Sequence, residues 1–308
     1  MSEPPYQRVL DAVYDDVLAL IGQGVVARSI PALAVVDPHR FGIALATPAG
    51  EVFGAGEYNV PFSIQSISKV FSFGLVLAAD DQIWKRVGHE PSTDPYNSLI
   101  QLERDRGIPR NPFLNAGALV TTDRLLGLSL PGSDAVDELL RFVRAESGNP
   151  HVDLDHAVAA SELASCHRNA ALAHLIADFG NLDHPVHLVL EQYVGQCALA
   201  MSCADVALAA RFLATGGLRS DGSRLLPAAD VKRLNATMLV CGMYDRAGEA
   251  AYRFGLPAKS GVGGGIVAVV PGRCVLCVWS PGLDASGNSV AGVAALEAFS
   301  TRTGWSVF

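Results

Sequence analysis

Phe62-Ser-Ile-Gln-Ser-Ile-Ser-Lys69 places a serine and a lysine three positions apart, at the predicted start of a helix that runs toward Ala79. At that spacing Ser66 and Lys69 lie on one face of the helix, about one turn apart. A serine hydroxyl becomes a useful nucleophile when a neighbouring base takes its proton, and a lysine with a lowered pKa can be that base. Ser63 is six positions from Lys69 and faces another way. Because Ser-x-x-Lys also occurs by chance, the pattern alone does not establish catalysis.

A second motif, Lys259-Ser-Gly261, lies about 190 residues further on and leads through Val262 into a run of glycines ending at Gly265. Glycines let a backbone run close to a ligand, and an exposed N–H there can help to form an oxyanion hole. A Lys-Ser/Thr-Gly triplet follows Ser-x-x-Lys in the serine β-lactamase and penicillin-binding superfamily. The alternative is a glycine-rich loop between strands, but the ordered pair is much more specific than either motif.

The order of predicted elements indicates an α/β domain built from both ends of the chain. The predicted elements of these ends are a helix over 5–22, strands over 41–46, 51–53, 266–270 and 274–280, and a helix over 289–303. Between them, residues 80–240 have almost wholly helical spacing. We therefore predict a discontinuous sheet domain, residues 1–79 and 241–308, with a helical domain, residues 80–240, inserted.

Further motifs extend this pattern along nearly the whole chain. They are Trp84-Lys-Arg-Val-Gly88, Pro95-Tyr-Asn-Ser98, Gly107-Ile-Pro-Arg-Asn-Pro-Phe-Leu-Asn-Ala-Gly-Ala118, Ser161-Glu162, Arg168-Asn-Ala-Ala171, Gly242-Met-Tyr244 and Asp284-x-x-Gly-Asn-Ser289. Together with the two motifs above, they resemble the bacterial serine-dependent glutaminases. The resemblance implies a β-lactamase-like, penicillin-binding-protein-like α/β (α+β) fold, in which terminal helices flank an antiparallel sheet that carries an inserted all-helical domain. It also implies hydrolysis of L-glutamine to L-glutamate and ammonia with no cofactor.

The resemblance assigns catalytic roles to individual positions. Ser66 matches the nucleophile, and Lys69 matches its base. Tyr193 and Tyr244 match two active-site tyrosines, and Tyr244 is the better candidate to protonate the leaving ammonia and to activate water. Val262 matches the residue whose backbone N–H joins that of Ser66 at the oxyanion. The supporting residue in the second motif is Lys259. The substrate-binding positions that the resemblance implies are Ser66, Asn115, Glu162, Asn169, Tyr193, Tyr244 and Val262.

The charges of free glutamine agree with these assignments. A carboxylate such as Glu162 is the natural partner of the α-ammonium, and asparagine amides and tyrosine hydroxyls can donate to the α-carboxylate. Glu162 and Asn169 are seven positions apart, which on one unbroken helix separates them by about 10 Å. We therefore predict that the chain bends near 165–167. Without the surrounding motifs, Glu162 would be interpreted as a helix-surface acid and Asn169 as an interior amide.

One position departs from the family pattern. The chain has Arg28-Ser-Ile-Pro31 where the resemblance leads us to expect Asp-Tyr-Ile-Pro. The tyrosine of that pattern lines the active site in relatives, and Ser29 can neither fill its volume nor reach as far. We therefore expect substrate binding or rate to differ here, and Ser29 is not assigned to the site.

Composition excludes several other partners. Lys and Arg total 23 against 31 Asp and Glu, a net charge of −8 with no basic stripe, so nucleic acid is not expected as a partner.

The apolar runs fall short of the roughly 20 residues that span a bilayer, and the first residues lack the apolar core of a secretion signal, so a cytoplasmic location is expected. Cys274 and Cys277, three apart in a strand, face opposite sides and predict no metal site. The resemblance also implies a homo-oligomer, a tetramer by analogy.

Two alternative functions remain at this stage. One is a β-lactamase, peptidase or esterase on the same fold, because a fold does not choose its chemistry. The absence of a recognisable signal and a residue set matched to a free amino acid count against it. The other is a binding or assembly protein that keeps the scaffold without catalysis. The intact Ser66, Lys69, Tyr193, Tyr244 and Lys259 count against that interpretation.

Overall fold

Both ends of the chain contribute strands to one antiparallel sheet. The computed structural model describes residues 6–92 and 94–308. Strands of these residues are β1 (Gly42–Ala46), β2 (Val52–Gly56), β3 (Phe62–Ser63), β4 (Asp153–Leu154), β5 (Leu199–Met201), β6 (Ala258–Ser260), β7 (Gly265–Val270) and β8 (Cys274–Trp279). Helices of these residues are α1 (Tyr6–Val17), α2 (Ser68–Ala79), α3 (Leu99–Arg104), α4 (Asn115–Leu128), α5 (Ala135–Ser147), α6 (His156–Ser165), α7 (His167–Asp178), α8 (Val186–Cys197), α9 (Cys203–Ala209), α10 (Ala228–Cys241), α11 (Ala247–Arg253) and α12 (Val290–Thr303).

The main sheet has the order β2-β1-β8-β7-β6, and each neighbouring pair is antiparallel. Strands β7 and β8 are buried at every position, because both faces of the sheet are covered. Side chains such as Ile266 and Val278 pack on one face against α1 and α12. Side chains such as Val267 and Cys277 pack on the other face against the helices of the middle segment. The predicted antiparallel sheet with flanking terminal helices is confirmed.

The middle segment is mainly helical, as predicted, and it also contains two short strands. Strands β4 and β5 pair with β3 in a small second sheet of order β3-β5-β4. Helix α6 ends at Ser165 and α7 begins at His167, so the predicted bend near 165–167 is confirmed. At the other end, α1 stops at Val17 and a 3₁₀ turn continues to Leu20. Residue 5 of the predicted first helix lies outside the described residues.

Helix α2 runs through the larger of the two main apolar cores. Its residues from Ser68 to Gly74 are all buried, which is typical of a helix that is apolar on every side. Lys69 is therefore carried into the protein interior by its neighbours in the sequence. Within residues 6–92 and 94–308, no helix has the length and apolar character needed to cross a membrane.

Candidate active site

Ser66 lies in a 3₁₀ turn, Gln65–Ile67, between β3 and α2. The backbone of Gln65 has φ of 49°, a left-handed conformation that is uncommon for a residue with a side chain. Ser66 is 8 % exposed and lines a small cavity. Strained backbone of this kind is concentrated at functional sites.

The glycine run after β6 lies directly against this turn. A Cβ atom on Gly261 would stand 2.6 Å from the carbonyl oxygen of Ile64 and 3.2 Å from the amide nitrogen of Ser66. No such approach is open to a larger residue, so glycine is required there. Within the described chain, the backbone N–H groups of Ser66 and Val262 donate no hydrogen bond to another protein atom. The fold thus brings the two sequence motifs together and leaves two donors free beside Ser66.

Lys69 is a buried cation on the helix that follows Ser66. It is 2 % exposed, and its Nζ donates to Asn115 Oδ1 at 2.7 Å and to the carbonyl of Phe113 at 3.3 Å. Burial lowers the pKa of Lys69 to about 8. Among residues 6–92 and 94–308 no hydrogen bond joins Lys69 to Ser66, and catalytic contacts of this kind often tighten only with substrate bound. A lysine with this pKa is largely neutral above pH 8 and can then accept a proton.

Lys259, in β6, supports Tyr244 and does not line the cavity. Its Nζ donates to the carbonyl of Ser260 and stands 4.5 Å from the centroid of the Tyr244 ring. Burial first, and then the positive charge of Lys69, hold the pKa of Lys259 well below its usual range. Lys259 therefore contacts the face of a tyrosine that itself borders Ser66.

Tyr193 and Tyr244 supply buried hydroxyl groups to the site. Burial raises the pKa of both phenols, so each stays protonated and can donate. The hydroxyls of Ser66 and Ser260 oppose this rise at Tyr244, but by less than burial. Within the described residues the Tyr244 hydroxyl has no partner at hydrogen-bonding geometry. The backbone of Tyr244 has φ of 53°, in the left-handed region. A buried hydroxyl without a protein partner is available to a ligand or a water.

The residues predicted to bind the amino-acid end come from α4, α6 and α7. Glu162 is 7 % exposed, and burial raises its pKa to about 7. Its Oε2 accepts from Gln65 Nε2 at 3.2 Å, which acts in the opposite direction on that pKa. Asn115 Nδ2 donates to Asn169 Oδ1 at 2.9 Å. The break between α6 and α7 turns Glu162 and Asn169 toward the same space.

That space is a cavity of about 140 Å³. The predicted residues that line it are Ser66, Asn115, Glu162, Asn169, Tyr193, Tyr244 and Val262. A larger hollow of about 520 Å³ lies against Trp84 and Val240 and contains none of these residues. Its walls offer few polar groups, so the chemistry of the lining identifies the smaller cavity as the candidate site. Among the described residues no His, Cys, Asp and Glu side chains cluster as metal ligands would.

Comparison with known proteins decides the family. The sequence model of the family described as glutaminase matches residues 24–308. The glutaminase of Streptomyces coelicolor is 57% identical to this chain over 310 residues, with both chains covered completely. The glutaminase of Agrobacterium fabrum is 51% identical over 304 residues, covering 98% of each chain. This chain belongs to the glutaminase family.

Solved structures agree with this membership and confirm the predicted β-lactamase-like fold. The probable glutaminase ybaS superposes on 98% of this chain with a TM-score of 0.90 and 33% sequence identity, and 97% of its own chain is covered. A probable glutaminase of Bacillus subtilis gives a TM-score of 0.87 at 32% identity, with 99% and 98% covered. A third structure, described as Mglu in its tris and glutamate form, gives 0.89 at 35% identity, with 97% and 67% covered.

Residues to which the family resemblance gave no role also line the cavity of this glutaminase. Gln65, Tyr96 and Arg168 are among its lining, and the Tyr96 ring lies 5.0 Å from that of Tyr244, centroid to centroid. All three belong to motifs that carried the family resemblance, so the signal was present although no role was attached to it. Ser29 lines the cavity as well, at the place where the family pattern led us to expect a tyrosine.

Proposed function

We propose that this glutaminase cleaves the side-chain amide of L-glutamine through a covalent ester on Ser66. Membership of the family makes the chain a hydrolase acting on the amide of glutamine. The observation that carries the mechanism is the junction of the two motifs, where Gly261 packs against the backbone of Ser66, the N–H groups of Ser66 and Val262 have no protein acceptor among the described residues, and the buried Lys69 lies on the helix that follows. That junction contains a nucleophile, a base with a lowered pKa and donors for an oxyanion.

Substrate binding in this proposal uses the two charges of the amino-acid end. The Glu162 carboxylate accepts from the α-ammonium, because a charge-assisted bond in a buried site is strong. Asn115 and Asn169 present amide groups for the remaining polar atoms of the substrate. A similar structure is described as Mglu in its tris and glutamate form, and this supports the proposal that the cavity accepts glutamate, the product of the reaction. The side-chain amide then extends toward Ser66.

Acylation begins when neutral Lys69 takes the proton of the Ser66 hydroxyl. The Oγ atom attacks the amide carbon, and the oxyanion is held by the N–H groups of Ser66 and Val262. Collapse of this intermediate breaks the C–N bond, and the leaving nitrogen receives a proton from Tyr244 or from protonated Lys69. Ammonia departs, and a γ-glutamyl ester remains on Ser66. Tyr244 is the preferred donor because its buried hydroxyl has no partner among the described residues.

Deacylation repeats the same chemistry with water as the nucleophile. The group that protonated the leaving ammonia, Tyr244 or Lys69, takes a proton from water, the water oxygen attacks the ester carbon, and the oxyanion forms at the same two N–H groups. As the second intermediate breaks down, protonated Lys69 gives its proton to Ser66 Oγ, L-glutamate is released, and every group returns to its starting state. Lys259 packs over the face of the Tyr244 ring, which supports the orientation of that hydroxyl. Every step is carried by groups of this chain and the substrates.

The decisive experiment compares Ser66→Ala with Ser72→Ala. Ser72 lies six residues after Ser66, in α2, is also buried and donates to the carbonyl of Ser68, outside the cavity. Ammonia release from glutamine should fall by about 10³-fold or more in Ser66→Ala and stay near the wild-type rate in Ser72→Ala. Hydroxylamine should intercept the ester of the active enzyme as glutamyl hydroxamate. Substantial turnover by folded Ser66→Ala would contradict the covalent mechanism.

The same assay separates the alternative functions. Glutamine, asparagine and a chromogenic β-lactam are compared as substrates of the wild-type enzyme, and glutamine alone should be turned over efficiently. Preferred hydrolysis of the β-lactam would support the superfamily alternative, and no turnover of any of them would support a binding protein. Two other expectations stay predictions: the division into a discontinuous sheet domain, residues 1–79 and 241–308, with an inserted helical domain, residues 80–240, and the tetramer. Limited proteolysis tests the first, and light scattering tests the second.

A further inference from the structure

Gln65 is a buried residue to which the mechanism above gives no role. It lies in the 3₁₀ turn Gln65–Ile67 that carries Ser66, called here the nucleophile turn. It is 2 % exposed, directly precedes Ser66 and holds the left-handed backbone conformation of the turn. That conformation is sterically unfavourable for a residue with a side chain, so other interactions must hold it in place. A glycine would adopt it without that cost, so the side chain of Gln65 calls for an explanation.

The side chain of Gln65 connects three parts of the fold. Its Nε2 donates to Ser63 Oγ at 3.0 Å and to Glu162 Oε2 at 3.2 Å. Ser63 Oγ in turn donates to the carbonyl of Cys197 at 3.1 Å, at the end of α8. A chain of hydrogen bonds therefore runs from α8 through the nucleophile turn to the carboxylate on α6.

We propose that Gln65 is a positioning residue that couples the substrate-binding carboxylate Glu162 to the nucleophile Ser66. This inference rests on the proposed function. The peptide that ends in Ser66 begins at Gln65, and the carboxamide of Gln65 fixes the direction of Glu162. One side chain thereby sets the separation between the group that binds the α-ammonium and the oxygen that attacks the amide. A displacement of about 1 Å between such groups can cost about 100-fold in rate.

The surroundings of Glu162 explain why a neutral donor is needed there. Lys69 faces it from α2 and favours the ionised carboxylate, whereas burial opposes it and raises its pKa to about 7. Burial first, and the Glu162 charge to a smaller extent, raise the pKa values of Cys166, beside the helix break, and of Tyr193 and Cys197 on α8. They offer Glu162 no counter-charge. Gln65 therefore favours the charged form that binds an ammonium, and its removal should raise the pKa of Glu162 further.

A double-mutant cycle tests the coupling. Gln65→Met keeps the length of the side chain and removes both N–H donors. Its kcat/KM for glutamine should fall about 10- to 100-fold in the wild-type background, in the range for bonds to a charged group, but by only a few-fold when Glu162→Gln is already present. The matched control is Gln196→Met, because Gln196 is also 2 % exposed and donates to Thr122 outside the cavity. Its effect should be the same in both backgrounds.

Binding measured against pH gives a readout that a merely structural role would not change. In the Ser66→Ala background, calorimetry gives the Kd of L-glutamine without turnover. Binding should strengthen as pH rises through the pKa of Glu162, and Gln65→Met should move that transition to higher pH. Equal losses of kcat/KM in both backgrounds, or an unmoved transition, would overturn the proposal.

A milder variant covers the case in which Gln65→Met does not fold. Ser63→Ala removes the acceptor that ties Gln65 to α8 and leaves the Gln65–Glu162 bond in place. It should lower kcat/KM by a smaller factor, again dependent on Glu162, and an effect independent of Glu162 refutes the proposal. Failure of the proposed function is a separate result, because folded Ser66→Ala would then still release ammonia from glutamine, whatever the outcome of the double-mutant cycle.

Discussion

Replacing Asn115 by aspartate tests whether Lys69 is the base. The substitution exchanges one amide nitrogen for oxygen and puts a carboxylate against Lys69 Nζ, which lies 2.7 Å from Asn115 Oδ1. An opposite charge within about 4–6 Å shifts a pKa by about 1–3 units toward the charged form. The pKa of Lys69, about 8 in the native protein, should therefore rise to roughly 9–11. At about pH 7.5 the neutral fraction of Lys69 should fall roughly 10- to 1000-fold.

The measurement is kcat at saturating glutamine, followed from about pH 6 to pH 10. The base acts in its neutral form, so kcat should rise with pH through the pKa of Lys69, and Asn115→Asp should move that rise to higher pH. Using kcat limits the contribution of any weakened substrate binding. Asn169→Asp is the matched control: it adds the same charge one hydrogen bond further from Lys69 and should produce a smaller shift.

An acid limb of kcat that stays in place in folded Asn115→Asp would refute the assignment of Lys69 as the titrating base. A loss of activity that is constant at every pH would also contradict it, since that pattern indicates displaced geometry rather than a raised pKa. Recovery near pH 10 of about one tenth to about nine tenths of the native rate, for a raised Lys69 pKa of about 11 or about 9 respectively, is the result that the geometry of Lys69 and Asn115 predicts.

Three further substitutions address other parts of the site. Glu162→Gln should lower kcat/KM for glutamine about 10- to 150-fold and reduce the preference for glutamine over N-acetylglutamine, which lacks the α-ammonium. Equal losses of kcat/KM on both substrates would mean that the α-ammonium of glutamine binds elsewhere. Tyr244→Phe should lower kcat about 10²- to 10⁴-fold. Its melting temperature should change little, because the Tyr244 hydroxyl has no partner within the described chain. A near-native kcat would instead assign the acid role to Tyr193 or Lys69. Gly261→Ala should lower kcat about 100-fold, because its Cβ would displace the nucleophile turn. The control Gly248→Ala, whose Cβ would meet nothing within 4 Å, should keep the native kcat. Equal activities of the two variants would show that the turn can shift without loss of rate.

Much of the architecture was predictable because its signals are local. Apolar positions at helical spacing marked the two terminal helices to within a few residues and the middle segment as helical, and the apolar runs at 266–270 and 274–280 marked β7 and β8. The two short motifs predicted where backbone and nucleophile meet, and the distance between Glu162 and Asn169 along the chain predicted the bend that separates α6 from α7. The short strands β4 and β5 were not predicted, because two or three residues contain too little pattern to register.

Residue types and their order along the chain were therefore enough to predict a nucleophile, a candidate base and the family from the sequence alone. Only the tertiary structure decided the environment of each group. Lys69 meets Asn115 across 46 residues of chain, and Gln65 meets Glu162 across 97. The lowered pKa of Lys69 and the raised pKa of Glu162 both come from burial by segments remote in the sequence. Desolvation and hydrogen bonding depend on distances in space, which no local spacing encodes.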